Sequence, residues 1–439
     1  MLMYLTAAFM WVSIWRVQDL WPILGKLQLP IVLEILLGAS LLASLGGPRR
    51  LQWTKSRVLL LPFVLLVVMT AGVPFGLWPG NSFIFVTRTF LPSLLLLLGI
   101  AFGIREIEDA NWLAFTHLIG ATVYSGWTYL FISVGSDGRL AGGVHYDAND
   151  IALLLVATIP FALYFLRPGV AVRRRLYALF SLVLFVALMI KCASRGGFIA
   201  FVIVLLYVTL AFRAVPVRMR IGAVAATVLV MMVFGSATYW NMMETIAHPK
   251  DDYNMTSPVG RKAIWKRGVG YMLAHPILGV GANNFPQAEG SVSEISRQYA
   301  SENRGLKWST AHNSFVLVGA ELGIGGLIAF VTMIGTSFKH LSSIKTGRDE
   351  YIGVTNEDEA FAQALIASLI GFCVAGFFVS AAYSPFLLAL IGLVVGIDSL
   401  RRRRIAKGAL QPVKDASASA GVPRERRKRL ASAHWLPAG

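Results

Sequence analysis

Long apolar runs separated by short polar loops dominate the chain. They fall at roughly 2–15, 29–45, 57–73, 83–104, 112–134, 150–167, 176–191, 196–213, 220–240, 312–337, 360–382 and 384–400. Most are close to the length a helix needs to cross a hydrocarbon core of about 30 Å. Only helices satisfy every backbone group inside lipid over such lengths, so the pattern predicts an all-α polytopic integral membrane protein with about twelve transmembrane helices. Runs one and three are short or interrupted by glycine and proline. The first, Met1 to Trp15, has neither a basic n-region nor a small-residue cleavage site, and reads as a retained helix.

One segment breaks the pattern. Residues 241–311 form the only long polar stretch between runs, lying between spans nine and ten. Within this loop, Arg261 to Leu273 reads as a short amphipathic helix, with Ile264, Trp265, Gly268 and Tyr271 set against a basic side. Pro276 ends it, and the glycine- and asparagine-rich Leu278–Phe285 follows as a series of turns. The expected organisation is a membrane domain over 1–400 that includes the 241–311 loop. A basic, Ala- and Ser-rich tail at 401–439 reads as disordered sequence near anionic lipid.

Composition agrees with the pattern: 56% of the 439 residues are hydrophobic and 14% charged. A net charge of +17 suggests nucleic acid until the charges are located. They sit in short loops and the tail, where Lys and Arg fix orientation, so nucleic acid is not expected as a partner. Arg49, Arg50, Lys55 and Arg57, then Arg105, Arg167 and Arg173–Arg175, then Arg213, Arg218 and Arg220, then Lys339, Lys345 and Arg348 all fall in even-numbered loops. The short odd-numbered loops carry few: Arg16, Lys26, Arg139, Lys191 and Arg195. That asymmetry predicts both termini in the cytoplasm and the 241–311 loop outside it. Cys192 and Cys373 both lie in apolar runs and suggest neither a disulfide framework nor a thiolate metal site.

Candidate chemistry gathers on the external side. His312, followed by Asn313 and Ser314, places a titratable imidazole where a polar segment becomes a long apolar run. Gly319, Gly323, Gly325 and Gly326 behind it read as a surface for close helix packing. Arg195, in the tight Ser194–Gly197 turn, is either a snorkelling anchor or a ligand for an anion. Arg88 lies about one turn inside its span, where an arginine is costly unless paired or facing a wet cavity. Arg261 opens the loop helix, as part of a solvated face or as an anion ligand. Several arginines around one external cavity would suit a diphosphate. Asp147, Asn149 and Asp150 offer metal-type oxygens, but Asn149 or Asp150 as cap of the sixth span is favoured. With Asp19 standing alone, no metal site and no cofactor are assigned.

The His312-Asn313-Ser314 start and its glycine-rich helix follow Arg261, Trp265, His275-Pro276, Gly279, Gly281 and Phe285. Together with the Ser194–Gly197 turn, these residues resemble the O-antigen ligase and polymerase superfamily, most closely over roughly 140–335. The resemblance implies a GT-C-like membrane glycosyltransferase of the bacterial inner membrane, with its site facing the periplasm and no metal requirement. Such enzymes take a glycan from undecaprenyl diphosphate. Ligases pass it to lipid A–core, and polymerases to another lipid-linked repeat. Carried onto this chain, the family's histidine is His312 and its two arginines are Arg195 and Arg261. His312 would act as general base, with the arginines holding the diphosphate through an inverting displacement. Arg88 is added from its depth as a third diphosphate contact. The alternatives are the polymerase, a protein O-glycan transferase and, in a different class, a lipid-linked glycan flippase.

Overall fold

The computed structural model describes residues 1–45, 56–141, 145–248, 250, 252–305, 308–345, 351–352, 355–406 and 411–412. Twenty helices follow one another in these residues. The first group is α1 (Leu2–Ser13), α2 (Val17–Leu20), α3 (Pro22–Lys26), α4 (Leu29–Leu45), α5 (Arg57–Gly72), α6 (Pro79–Phe85), α7 (Leu91–Gly103), α8 (Ile107–Phe131), α9 (Ala148–Phe165) and α10 (Val172–Cys192). Then come α11 (Arg195–Ala211), α12 (Val217–Phe234), α13 (Ala237–Glu244), α14 (Tyr253–Thr256), α15 (Arg261–Ala274), α16 (Phe285–Gln287), α17 (Glu294–Ser301), α18 (Ser314–Lys345), α19 (Asn356–Gly376) and α20 (Pro385–Ala406). The two-residue strands Tyr351–Ile352 and Gln411–Pro412 pair antiparallel.

Each predicted run coincides with a helix. Seven spans among the described residues are long and apolar enough to cross a membrane: Arg57–Phe75, Pro79–Gly103, α9, α10, α12, Ser314–Ile344 and α19. Leu2–Ser13, Leu29–Ser44 and α11 are shorter apolar helices, and α8 and α20 answer to the two remaining runs. This is a multi-pass helical membrane protein. Its centre is α9, 89% buried over its most apolar window, packed on α19, itself 78% buried. By contrast α12 is only 11% buried and stands at the edge.

Several boundaries move. Gly235 stops α12 at Phe234, six residues before the expected end of span nine, and a separate helix, α13, follows. Arg401–Arg404 continue α20 to Ala406 instead of opening the tail; residues 407–410 and 413–439 lie outside the described residues. The α6–α7 span starts at Pro79, so Arg88 lies about 13 Å along it at 1.5 Å per residue, deeper than one turn.

The largest difference concerns α18. It breaks at Gly323, whose φ of 71° and ψ of −170° only glycine adopts readily. The part beyond the break, Ile324–Lys345, is about 33 Å long, enough to span a bilayer by itself. Ser314–Leu322 forms a separate short helix of about 13 Å. The break frees backbone groups that must find partners, and the turn-rich segment supplies them. Val280 and Gly281 N–H donate to the Ala320 and Glu321 carbonyls at 2.9 and 3.0 Å, and Ile324 N–H donates to the Pro276 carbonyl at 2.8 Å. Glu321, fully buried, accepts from Phe285 N–H at 3.0 Å. The other side of the segment is tied to α6, where Ser82 Oγ donates to the Ala282 carbonyl and Asn81 Nδ2 to the Asn283 carbonyl. From Gly279 to Ala282 this non-helical backbone is buried within protein, whereas Pro276 and Ile277 are exposed. Gly319 does meet a neighbouring helix, at Met272 of α15, but Gly325 faces open space. The glycine series therefore serves a helix break more than a packing stripe.

Candidate functional site

Four elements meet at one end of the bundle: the N-termini of α11, α15 and α18, and the connection between α19 and α20. Ala193, at φ 45°, turns the chain sharply after α10. Ser194 then caps α11 by accepting from Gly197 N–H at 3.2 Å and donates to Asn149 Oδ1 at 2.9 Å. Arg195 is the first residue of α11. A side chain at Gly196 would collide with Phe378, so the turn is seated directly on the α19–α20 connection.

Arg261 is likewise the first residue of α15, and Trp265 follows one turn later on the same face. Trp265 Nε1 donates to the Ala311 carbonyl at 3.0 Å, while its ring meets Phe377 and Phe378 edge-on or tilted at 5.2 and 6.4 Å. His312 is the next residue. It is half-buried and held at φ 46°, a left-handed conformation that costs a non-glycine residue energy and is often found at functional sites. Its neighbours are bolted down. Asn313 Oδ1 caps α18 by accepting from Phe315 and Val316 N–H. Ser314 Oγ donates to the Val379 carbonyl at 2.7 Å and accepts from Ala381 N–H at 3.0 Å. Thr310 Oγ1 and Ser380 Oγ are 2.8 Å apart. The imidazole is therefore carried by a turn fixed on both sides, and that turn is linked through Trp265 to the helix that Arg261 opens.

The electrostatics of this end are lopsided. A cation at the first position of a helix opposes the helix dipole, so neither Arg195 nor Arg261 serves its own helix. Arg195 Nη1 pairs with Asp252 at 2.7 Å and donates to Thr245 Oγ1 at 2.9 Å. Burial of Asp252 opposes its ionisation, but hydrogen bonds from Asn254 and Arg195 outweigh it and hold the carboxyl below its usual range. Among the described residues no hydrogen bond or ion pair engages Arg261. Burial, then the charges of Arg195 and Arg139, push its guanidinium down from the usual value, against the pull of Asp147 and Asp252. Two other loop arginines are paired: Arg267 forms a two-pronged pair with the buried Glu289, and Arg304 pairs with Glu302.

Arg139 joins this group although sequence reasoning used it only to count loop charges. Its Nη2 donates to Asn149 Oδ1 at 3.0 Å, and its buried Nε has no partner among the described residues. The signal available was its position, one of few basic residues in the short external loops.

The acidic cluster next to it is a cap, though on a different residue from the one expected. Asp147, not Asn149 or Asp150, caps α9; its carboxylate accepts from Asn149 and Asp150 N–H, and Asp150 reaches back to Asp147 N–H. Asn149 instead bridges Arg139 and Ser194. Arg88 stands apart. It lies in a π-helical turn, Val86–Phe90, is exposed, and has no ion-pair partner among the described residues. Among the described residues no hydrogen bond or ion pair joins it to Arg139, Arg195 or Arg261. Of the other histidines, His117 is a core residue between Trp15 Nε1 and Thr158 Oγ1, and His340 lies 3.2 Å from Asp398. His434 lies outside the described residues.

Fold and site together define a multi-pass helical membrane protein with a cluster of arginines and a strained histidine at one end. Residues 180–331 match the family model described as O-antigen ligase, which supports the O-antigen ligase superfamily and its ligase or polymerase activity. The match runs from α10 into α18, taking in Arg195, Arg261 and His312 but neither Arg88 nor Arg139. No curated protein matches the chain.

Proposed function

We propose that the chain is an O-antigen ligase. It transfers a glycan from undecaprenyl diphosphate to lipid A–core on the periplasmic face of the bacterial inner membrane, with both termini in the cytoplasm. His312 removes the proton from the acceptor hydroxyl as that oxygen attacks the anomeric carbon. The bond from the anomeric carbon to the diphosphate breaks with its electron pair passing to the diphosphate oxygen. One displacement inverts the anomeric centre. Arg195, Arg261 and Arg139, aided by two helix N-termini, hold the leaving diphosphate and offset its charge. With that charge met by guanidinium groups, the reading calls for no metal. Arg88 is proposed as a further donor contact and needs its own test, since it lies apart from the other three.

The observation that carries this reading is the meeting of two first-turn arginines, Arg195 and Arg261, with the fixed turn that bears His312. The test is transfer by the purified protein in the presence of a chelator, with lipid-linked glycan as donor and lipid A–core as acceptor. The expected product is the lipid A–core adduct. The His312→Ala variant should lose roughly a hundredfold or more of the rate, the range for removal of a general base. Growth of the lipid-linked chain in place of the adduct would assign the polymerase reaction. Donor translocation that persists in His312→Ala without any transfer would favour a flippase.

A further inference from the structure

The edge helix α12 leaves a cleft against α9, α10 and α11, a cavity of about 140 Å³ lined by residues such as Leu163, Phe201, Leu205, Phe212 and Val224. The face of α12 that turns to it carries Arg220, Ala223, Val224, Thr227 and Val230, at the i, i+3, i+4, i+7 spacing of one helix face. The lining is apolar apart from Arg220 and Thr227, which suits an apolar occupant.

Arg220 is the exception in that lining. It is only 7% exposed, and Nη1 donates to the Val208 and Thr209 carbonyls at 3.2 and 2.7 Å. Its buried Nε has no partner, and no carboxylate pairs with it among the described residues. A buried guanidinium without a counter-ion is costly in a membrane setting. It also sits in the first turn of α12, where the helix dipole gives it no relief. Arg213 and Arg218, exposed at the same end, carry the positive charge out to the surface.

We propose that this cleft binds one anionic phospholipid, its phosphate on Arg220 and one acyl chain along the inner face of α12. A phosphate oxygen supplies the missing counter-charge and an acceptor for Nε, and part of the acyl chain enters the apolar cleft while the rest continues along its open side. The site is distinct from the diphosphate site. Val208 lies about 20 Å along α11 from Arg195, and the Arg220 end carries its own basic residues. It holds α12, which the protein alone buries so little, against the bundle.

The full-length protein, delipidated in a maltoside detergent, tests this with phosphatidylglycerol and phosphatidylcholine of the same acyl chains. Native mass spectra and thermal unfolding are the readouts. The expected result is one retained phosphatidylglycerol and a higher unfolding midpoint, with phosphatidylcholine weaker. Arg220→Gln should weaken phosphatidylglycerol binding roughly tenfold and erase the headgroup preference, whereas Arg220→Lys keeps part of it. Ala223→Trp, which fills the cleft and leaves Arg220 in place, should abolish retention of both lipids and answers the question even if Arg220→Gln fails to fold. Undiminished phosphatidylglycerol retention in Ala223→Trp, or an unchanged preference in Arg220→Gln, overturns the proposal. Displacement by an equal concentration of undecaprenyl phosphate would also overturn it, assigning the cleft to the prenyl carrier.

Discussion

At one end of the bundle Arg167 pairs with Glu357, Arg402 with Asp398 and Arg404 with Asp358. At the other, Arg139, Arg195 and Arg261 share a single ion pair, Arg195–Asp252, among the described residues. The paired end is built as a structural network: Arg167 also lies over the Tyr164 ring at 3.7 Å, and Asn111 Nδ2 donates to Glu357 at 2.8 Å. There, removing one partner strands the other. At the His312 end the charges of Arg195 and Arg139 act on Arg261, which no ion pair engages among the described residues; in the proposed reading an incoming anion relieves that repulsion. Arg167, Arg402 and Arg404 are held by carboxylates, whereas Arg139 and Arg261 form no ion pair among the described residues. The difference is set by whether a carboxylate has been supplied.

Substitutions break or sharpen this contrast. The largest effect is expected at Arg261. Arg261→Gln should weaken donor binding by about 1.5–3 kcal/mol, roughly ten- to a hundredfold. Its unliganded melting temperature should hold or rise, because a cation repelled by Arg195 and Arg139 is gone. Inorganic pyrophosphate should raise the midpoint of the native protein and not of this variant. A fall in unliganded stability would place Arg261 with the paired arginines. Next comes Gly323→Ala, expected to cost about 1–3 kcal/mol because the backbone there is open essentially to glycine alone. A Cβ would also sit 2.5 Å from the Pro276 carbonyl oxygen. Chemical or thermal unfolding measures it, and a neutral outcome would remove the helix break as a structural requirement.

Arg167→Gln at the paired end should show the reverse of Arg261→Gln. A stability loss of about 1–2 kcal/mol with unchanged donor affinity is expected. Asp252→Asn is the smallest, under about 1 kcal/mol for a partly exposed pair. Its pH dependence has a definite sign. The folded carboxyl titrates below its ordinary value, so the stabilisation is present at neutral pH and is lost as pH falls through that lowered pKa. The native protein and Asp252→Asn should differ at neutral pH and converge in acid. A difference that grows on acidification would contradict the pairing.

Much of the fold was legible because apolar run length is a direct physical signal. A helix must be about 30 Å long to span a bilayer and must keep charge out of its middle. Each of the twelve runs therefore falls on helix, two of them on helices that are interrupted, and the Arg261–Ala274 helix was legible from its amphipathic spacing and its Pro276 stop. Arg195, Arg261 and His312 stood out as basic or titratable residues at helix starts. What was not legible is pairing. Nothing local distinguishes Arg261, left without a carboxylate, from Arg267, which finds Glu289 across the loop. Arg139 was passed over because its neighbours Asn149 and Arg261 come from other elements. The cap of α9 fell on Asp147 because the residue whose carboxylate meets two N–H groups depends on where the backbone first turns helical.

The sequence by itself determined that this chain crosses a membrane many times and presents histidine and arginine at helix starts, since both follow from hydrophobic length and charge placement. Tertiary structure alone decided that α18 breaks at Gly323 and is mended by the Pro276–Phe285 segment. It also decided which arginines meet a carboxylate and which do not among the described residues. These are outcomes of long-range packing: a backbone group or a guanidinium in a low-dielectric interior takes whatever partner the fold brings within about 3 Å, and no local pattern encodes that distance.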